Sequence, residues 1–215
     1  MYAIIKDGKI SSLINQPRPM IIGDTQYPAK IFSVWSADEL KNIGIIPVTF
    51  DDTNKKDDEW YINSKQTYAY DASAGTVTAS YGTATAKTHA DVLWTQADSD
   101  NGDLPVDKSV GDVRNPGLKT ILINKIKEQA MVNLKETDWY IVRKADAGTA
   151  VPSTITNHRA AVRTKAAEME TSITNAADTE ALKTLFTYVN TADEGEPDVM
   201  VRPIGELPTL ELYCL

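Results

Sequence analysis

Cysteine is almost missing from this chain. Cys214 stands alone among 215 residues, so no internal disulfide can form and folding does not depend on an oxidising compartment. Histidine is nearly as scarce: only His89 and His158 are available as bases at neutral pH, and they fall in different predicted lobes. There is no Gly-x-Gly-x-x-Gly, no Walker-type Gly-Lys-Ser/Thr, no Gly-x-Ser-x-Gly and no His-Glu-x-x-His. No window of about 20 apolar residues exists, and the start, MYAIIKDGK, has neither the basic residues nor the apolar run of a signal peptide. These absences argue against the common enzyme classes, against a cofactor or metal, and against a membrane. Cytoplasmic folding is the default.

An apolar content of 42% is enough for a proper core. The net charge of −8 is uneven: residues 1–90 carry −1, 91–117 carry −4, 118–190 carry +2 and 191–215 carry −5. Acid at 91–117 and beyond 190 makes a nucleic acid an unsuitable partner.

The pattern along the chain reads as α+β: a small antiparallel β-rich lobe over 1–81, an extended connector over 82–117, a three-helix lobe over 118–190 and an extended tail over 191–215. Tyr2–Lys6 and Lys9–Ile14 flank Asp7-Gly8, the signature of a tight hairpin turn. A second turn is expected at Gly23-Asp24. Ser36-x-x-Glu39 is a capping box, with Gly44 placed to end that short helix. Strand-prone runs follow at 46–50, 59–62, 66–70 and 76–81, and their aromatic residues, Trp60, Tyr61, Tyr68, Tyr70 and Tyr81, suit cross-strand packing.

In the connector the only apolar knot is Val92-Leu93-Trp94, and Trp94 is the residue expected to anchor it to one of the lobes and to take part in contacts. Asp98–Asp103 resembles a calcium loop, but its glycine falls at the fifth position and Ser109 stands at the twelfth. A solvated turn is the simpler reading.

From Leu118 the apolar residues Leu118, Leu122, Ile126, Ala130 and Leu134 recur at helical spacing. Thr137-Asp138-Trp139 then begins a new segment, with Ala145–Ala150 a loop. Pro152 opens a second helix with Ile155, Val162, Ala166, Met169 and Ile173 as its stripe. A third run spans Asp178–Val189. On this pattern Trp139 is a buried structural anchor between the two long helices, and His158 an exposed or rim residue. Leu210, Leu212 and Tyr213 alternate with Glu211 as a possible edge strand, with the tail docked.

Two blocks of the sequence carry a resemblance. Tyr27-Pro28, Val34-Trp35, Asp38-Glu39-Leu40, Gly44-Ile45 and Pro47-Val48 resemble the amino-terminal part of small tail-associated proteins of tailed bacteriophages. Leu134, Thr137-Asp138-Trp139, Arg143, Pro152, Ile155, Arg159 and Arg163 resemble a segment that recurs in phage tail-fibre and tail-fibre-assembly proteins. The resemblance implies a structural protein of the virion tail, or else a tail-fibre assembly chaperone. Its partners would be other tail or tail-fibre proteins and further copies of itself in a homo-oligomer, with no catalytic residues. Arg159 and Arg163, four apart on a helix, are the expected contacts to acidic groups of a neighbouring subunit.

Overall fold

The computed structural model describes residues 1–210. The strand expected to run on from Leu210 through Leu212 and Tyr213 lies outside the described residues beyond its first position, as does Cys214. The chain is α+β and divides into two compact units, Met1–Ala86 and Lys87–Leu215.

In the first unit, β1 (Tyr2–Lys6) and β2 (Lys9–Ile14) form the expected hairpin. Asp7 and Gly8 supply its turn with φ of 52° and 72°. β3 (Met20–Ile22) and β4 (Thr25–Tyr27) make a smaller hairpin across Gly23. After the single turn α1 (Ile31–Val34), α2 (Ala37–Asn42) starts on a complete capping box. The Ser36 amide donates to Glu39 Oε2 at 2.7 Å while the Glu39 amide donates to Ser36 Oγ at 3.2 Å. Gly44 follows at φ 79°, and any Cβ there would meet the Ile5 carbonyl oxygen at 2.8 Å. Glycine is thus required both by the turn and by the approach of β1.

β5 (Ile45–Asp51), β6 (Tyr61–Ile62), β7 (Thr67–Asp71), β8 (Thr76–Ser80) and β9 (Thr85–Ala86) complete the unit. The main sheet runs β2-β1-β5-β8-β7. It is not the antiparallel sheet the sequence suggested, because β5 and β8 pair in parallel, Val48 opposite Val77. The reason is topological: the chain leaves β5, crosses through β6, and returns through the β7–β8 hairpin, so β8 arrives beside β5 in the same direction. β2 and β7, the two edges, come into contact, so the sheet curls. Its inner face is built from Ala3, Ile46, Val48, Val77 and Ala79, two of them alanines that let the strands close tightly. The opposite face receives Ile31, Leu40 and Ile45, with Tyr27 edge-on to Trp35 at 5.8 Å.

The second unit opens with a fold that corrects the expectation of an extended connector. β10 (Val92–Leu93) and β11 (Val113–Asn115) pair antiparallel, and between them lies α3 (Gln96–Asp100). Thr95 and Asp98 form a second capping box there, so the run that resembled a calcium loop is a capped helical turn. Local hydrogen bonding by Thr and Asp supplies the order that apolar residues do not.

Four helices follow, not three: α4 (Leu118–Lys135), α5 (Asp138–Ala147), α6 (Ser153–Asn175) and α7 (Thr179–Phe186). α4 packs along α6 through Leu118, Leu122, Ile126 and Ala130 against Ile155, Val162, Ala166, Met169 and Ile173. These are the two stripes read from the sequence. At the start of α4 the Asp91 carboxylate accepts from the Gly117 amide at 2.7 Å and the Thr120 hydroxyl at 2.9 Å, the favourable place for a negative charge. The chain then forms β12 (Val189–Asn190) and β13 (Met200–Val201). Beyond them Ile204 is buried and its amide donates to the Leu185 carbonyl at 3.0 Å, so the described tail is docked. No helix among the described residues is long and apolar enough to cross a membrane.

Candidate functional site

α4 ends at Lys135, and a helix end leaves its last carbonyls without intrahelical partners. Arg159, from the facing side of α6, meets this need. Its Nη1 donates to the Leu134 carbonyl oxygen at 2.7 Å and to Thr137 Oγ1 at 2.7 Å, and it pairs with Asp138 Oδ1 at 2.9 Å. Thr137, fully buried, donates a hydrogen bond from its own hydroxyl to the same Leu134 carbonyl at 2.9 Å. One guanidinium therefore closes α4, holds the turn and fixes the first residue of α5. A cation is well placed at the C-terminal end of a helix.

Arg159 is only 8% exposed. This corrects its assignment as a surface contact residue: the charge is consumed inside the unit, where its oxygens need it. Arg163, one turn along, is exposed, and its Nη1 reaches the Arg159 carbonyl at a long 3.4 Å. The two arginines are four apart, yet only the second is free to face outward.

His158, beside Arg159, is fully buried, which corrects its reading as a rim residue. Its Nε2 lies 3.0 Å from Asn133 Oδ1, while Asn133 Nδ2 donates to the Pro208 carbonyl at 2.8 Å. A carbonyl can only accept, so the amide orientation of Asn133 is set by Pro208, and the imidazole must carry its hydrogen on Nε2. Burial pushes the ring's pKa down from the ordinary 6.5; nearby Glu136 opposes the shift and Arg159 adds to it. The neutral ring joins α4, α6 and the tail. It is placed for structure, with its Nε2 already engaged.

Trp139 is the largest departure from expectation. It is 51% exposed, because α5 is seated at its first residues and has no buried side chain of its own. The ring stacks on Tyr140 at 3.8 Å between centroids, and the Arg143 guanidinium lies 4.8 Å above Trp139 and 5.3 Å above Tyr140. Such arginine–aromatic stacks are attractive through the ring quadrupole. Ile141 and Val142 are exposed as well. α5 is thus a displayed helix, with an aromatic and cationic surface.

An open groove of about 820 Å³ runs between α4 and the tail. Val132, Met169, Leu207 and Leu210 give it an apolar lining, and its charged lining is mixed, with Lys125 beside Glu128, Glu136 and Glu206. Sequence reasoning missed this groove, since it depends on where the tail returns. The signal that was available is the run Val199 to Leu210, too apolar to be free.

Trp94 belongs to a separate cluster. Its backbone bonds to Asp112 and Gly111 close the β10–β11 hairpin, and the Arg114 guanidinium covers its ring at 4.6 Å while reaching Asp98 at 2.9 Å. The residue pins this hairpin, half-buried, and does not join the Arg159 cluster. Among the described residues no group of three or more His, Cys, Asp or Glu is arranged to hold a metal ion. Comparison with protein families, with curated proteins and with solved structures finds no match to this chain.

Proposed function

We propose that this protein is a non-enzymatic structural component of a bacteriophage tail, associated with the tail or tail fibre and mediating attachment between subunits. One observation carries the reading. The residues of the phage-like segment, scattered from Leu134 to Arg159 in sequence, are joined by direct hydrogen bonds and an ion pair. The same segment's Trp139 and Arg143 are stacked on the displayed helix. A segment that spends its polar residues on building a joint and its aromatic ones on a surface suits a part that others attach to.

In this role the protein folds in the host cytoplasm and is retained in the virion, bound to other tail proteins and to copies of itself. Nucleic acid and membrane are not among its partners. Mass spectrometry of purified particles tests the assignment: the chain should be present in tails at a fixed stoichiometry. Finding it only in lysates of infected cells, bound to a fibre protein, would make it an assembly chaperone instead.

A further inference from the structure

The turn that closes α3 contains the one Asn-Gly step in the chain, Asn101-Gly102. In this pair the side-chain amide is most readily attacked by the backbone nitrogen that follows it, because glycine puts no Cβ beside that nitrogen. Both residues are exposed, and a Cβ built on Gly102 would meet no atom within 4 Å. Two features hold the folded turn back. Gly102, at φ 79°, donates its amide hydrogen to the Ser99 carbonyl at 3.1 Å, and the Asp103 amide donates to the Asp98 carbonyl at 2.8 Å, the paired bonds of a left-handed helix end. Asn101 keeps a helical backbone, with φ −80° and ψ −11°, whereas ring closure swings the Gly102 nitrogen round toward Asn101 Cγ. The reaction therefore waits on the opening of α3. Little resists that opening: the helix has five residues and none is buried. It is held by the Thr95–Asp98 box and by Arg114 on Asp98 at 2.9 Å, and so belongs to the low-stability end of the structure.

We propose that Asn101-Gly102 is a site of spontaneous modification, gated by the opening of α3, whose product keeps α3 open. In the opened turn the Gly102 nitrogen gives its proton to solvent base and bonds to Asn101 Cγ, and the side-chain nitrogen leaves as ammonia. Water then opens the cyclic imide. Cleavage of the bond from nitrogen to Cγ restores an ordinary main chain with aspartate at position 101. Cleavage of the bond from nitrogen to the main-chain carbonyl carbon leaves isoaspartate, with an extra methylene in the backbone. Water is the only co-reactant. Either product places a new carboxylate at the C-terminal end of α3, the unfavourable end for a negative charge, near Asp98, Asp100 and Asp103. Isoaspartate also shifts the Gly102 and Asp103 amides away from the two carbonyls they donate to. The β10–β11 hairpin thus carries a one-way record of how often its helix has opened. The inference is independent of the tail reading, since it concerns the isolated protein.

The test is storage of the full chain at mildly alkaline pH, folded and in urea, with peptide mass spectrometry of the segment that contains residue 101. The folded wild type is expected to convert into separable aspartate and isoaspartate forms, more slowly than the chain in urea. Thr95→Ala removes the cap and should speed the conversion about fivefold. Asn101→Gln, whose longer side chain has to close a larger ring, should stay unconverted. In the modified protein, exchange of the Ser99 and Asp103 amides, which donate to Thr95 and Asp98, should be several-fold faster than before conversion. Conversion as fast in the folded chain as in urea overturns the gate, and so does a Thr95→Ala rate equal to wild type in a variant shown to be folded by circular dichroism. A folded chain that stays unconverted while the chain in urea converts fully overturns the site itself. Unchanged exchange at Ser99 and Asp103 after conversion overturns the hold of the product on α3.

Discussion

The Nη1 of Arg159 lies 2.7 Å from the carbonyl oxygen of Leu134, twenty-five positions upstream. A side chain of α6 thereby adds a charged donor at the end of α4, on a carbonyl that also accepts from the Thr137 amide and hydroxyl. The consequences for stability differ sharply between residues that are adjacent in the sequence.

Replacing Arg159 by Ala removes the charge-assisted bonds to Leu134 and Thr137 and leaves Thr137 buried with a weaker set of partners. The cost should be about 2–3 kcal/mol, in the range for hydrogen bonds to charged groups. Asp138→Asn should cost under about 1 kcal/mol, because that carboxylate is more than half exposed. Urea midpoints of the two variants check this order; equal effects would place the weight on the ion pair and not on the helix end.

Trp139→Ala should change stability by no more than about 0.5–1 kcal/mol, as expected for a surface position. The sequence-based expectation of a core tryptophan would instead require about 3–5 kcal/mol. Thermal unfolding distinguishes the two directly.

The buried His158 makes stability depend on pH. Its folded-state pKa is lowered from 6.5 chiefly by burial, so between that lowered value and 6.5 the unfolded chain binds more protons than the folded one. The stabilisation is complete above 6.5, declines as pH falls through it, and levels off only below the folded-state value. Melting temperatures measured between about pH 5 and 8 should show this decline in wild type and a shallower one in His158→Gln.

Gly117→Ala should be disruptive although the backbone there, at φ −79°, is open to any residue. The added Cβ would lie 2.3 Å from the Ala90 carbonyl oxygen, so the backbone segment over the start of α4 has to move. A loss of about 1–3 kcal/mol is expected, with faster amide exchange at Leu118 and Lys119, which donate to Thr88 and His89. Unchanged exchange at those two amides would show that the segment yields without cost.

Features set by neighbours in sequence were the legible ones. Asp7-Gly8, the Ser36–Glu39 box and the stripes of α4 and α6 are short-range patterns, and each stands where it was read. The parallel pairing of β5 with β8 was not legible, because it depends on a crossover whose path carries no local mark. α5 was missed because Trp139-Tyr140-Ile141-Val142 is a run of strand-favouring residues, overridden by the fixing of Thr137 and Asp138. Trp139 itself was misplaced by assuming that size implies burial. Arg159 looked like surface since its principal partner is a backbone oxygen, which becomes available only where α4 stops. The groove was invisible for a related reason: two of its walls come from distant parts of the chain.

The curl of the first unit's sheet bears on how that unit can engage anything else. Because β2 and β7 approach each other without pairing, a peptide adding to either edge where they meet would have to fit the gap between them. Recognition by strand addition, in which a guest segment extends a sheet through main-chain bonds, is disfavoured along that stretch. A partner reaching this unit therefore has side chains to read, such as Ile21, Val34 and Phe50, which are all exposed. Specificity there would rest on the identity of a few surface residues, and single substitutions among them would be enough to redirect it.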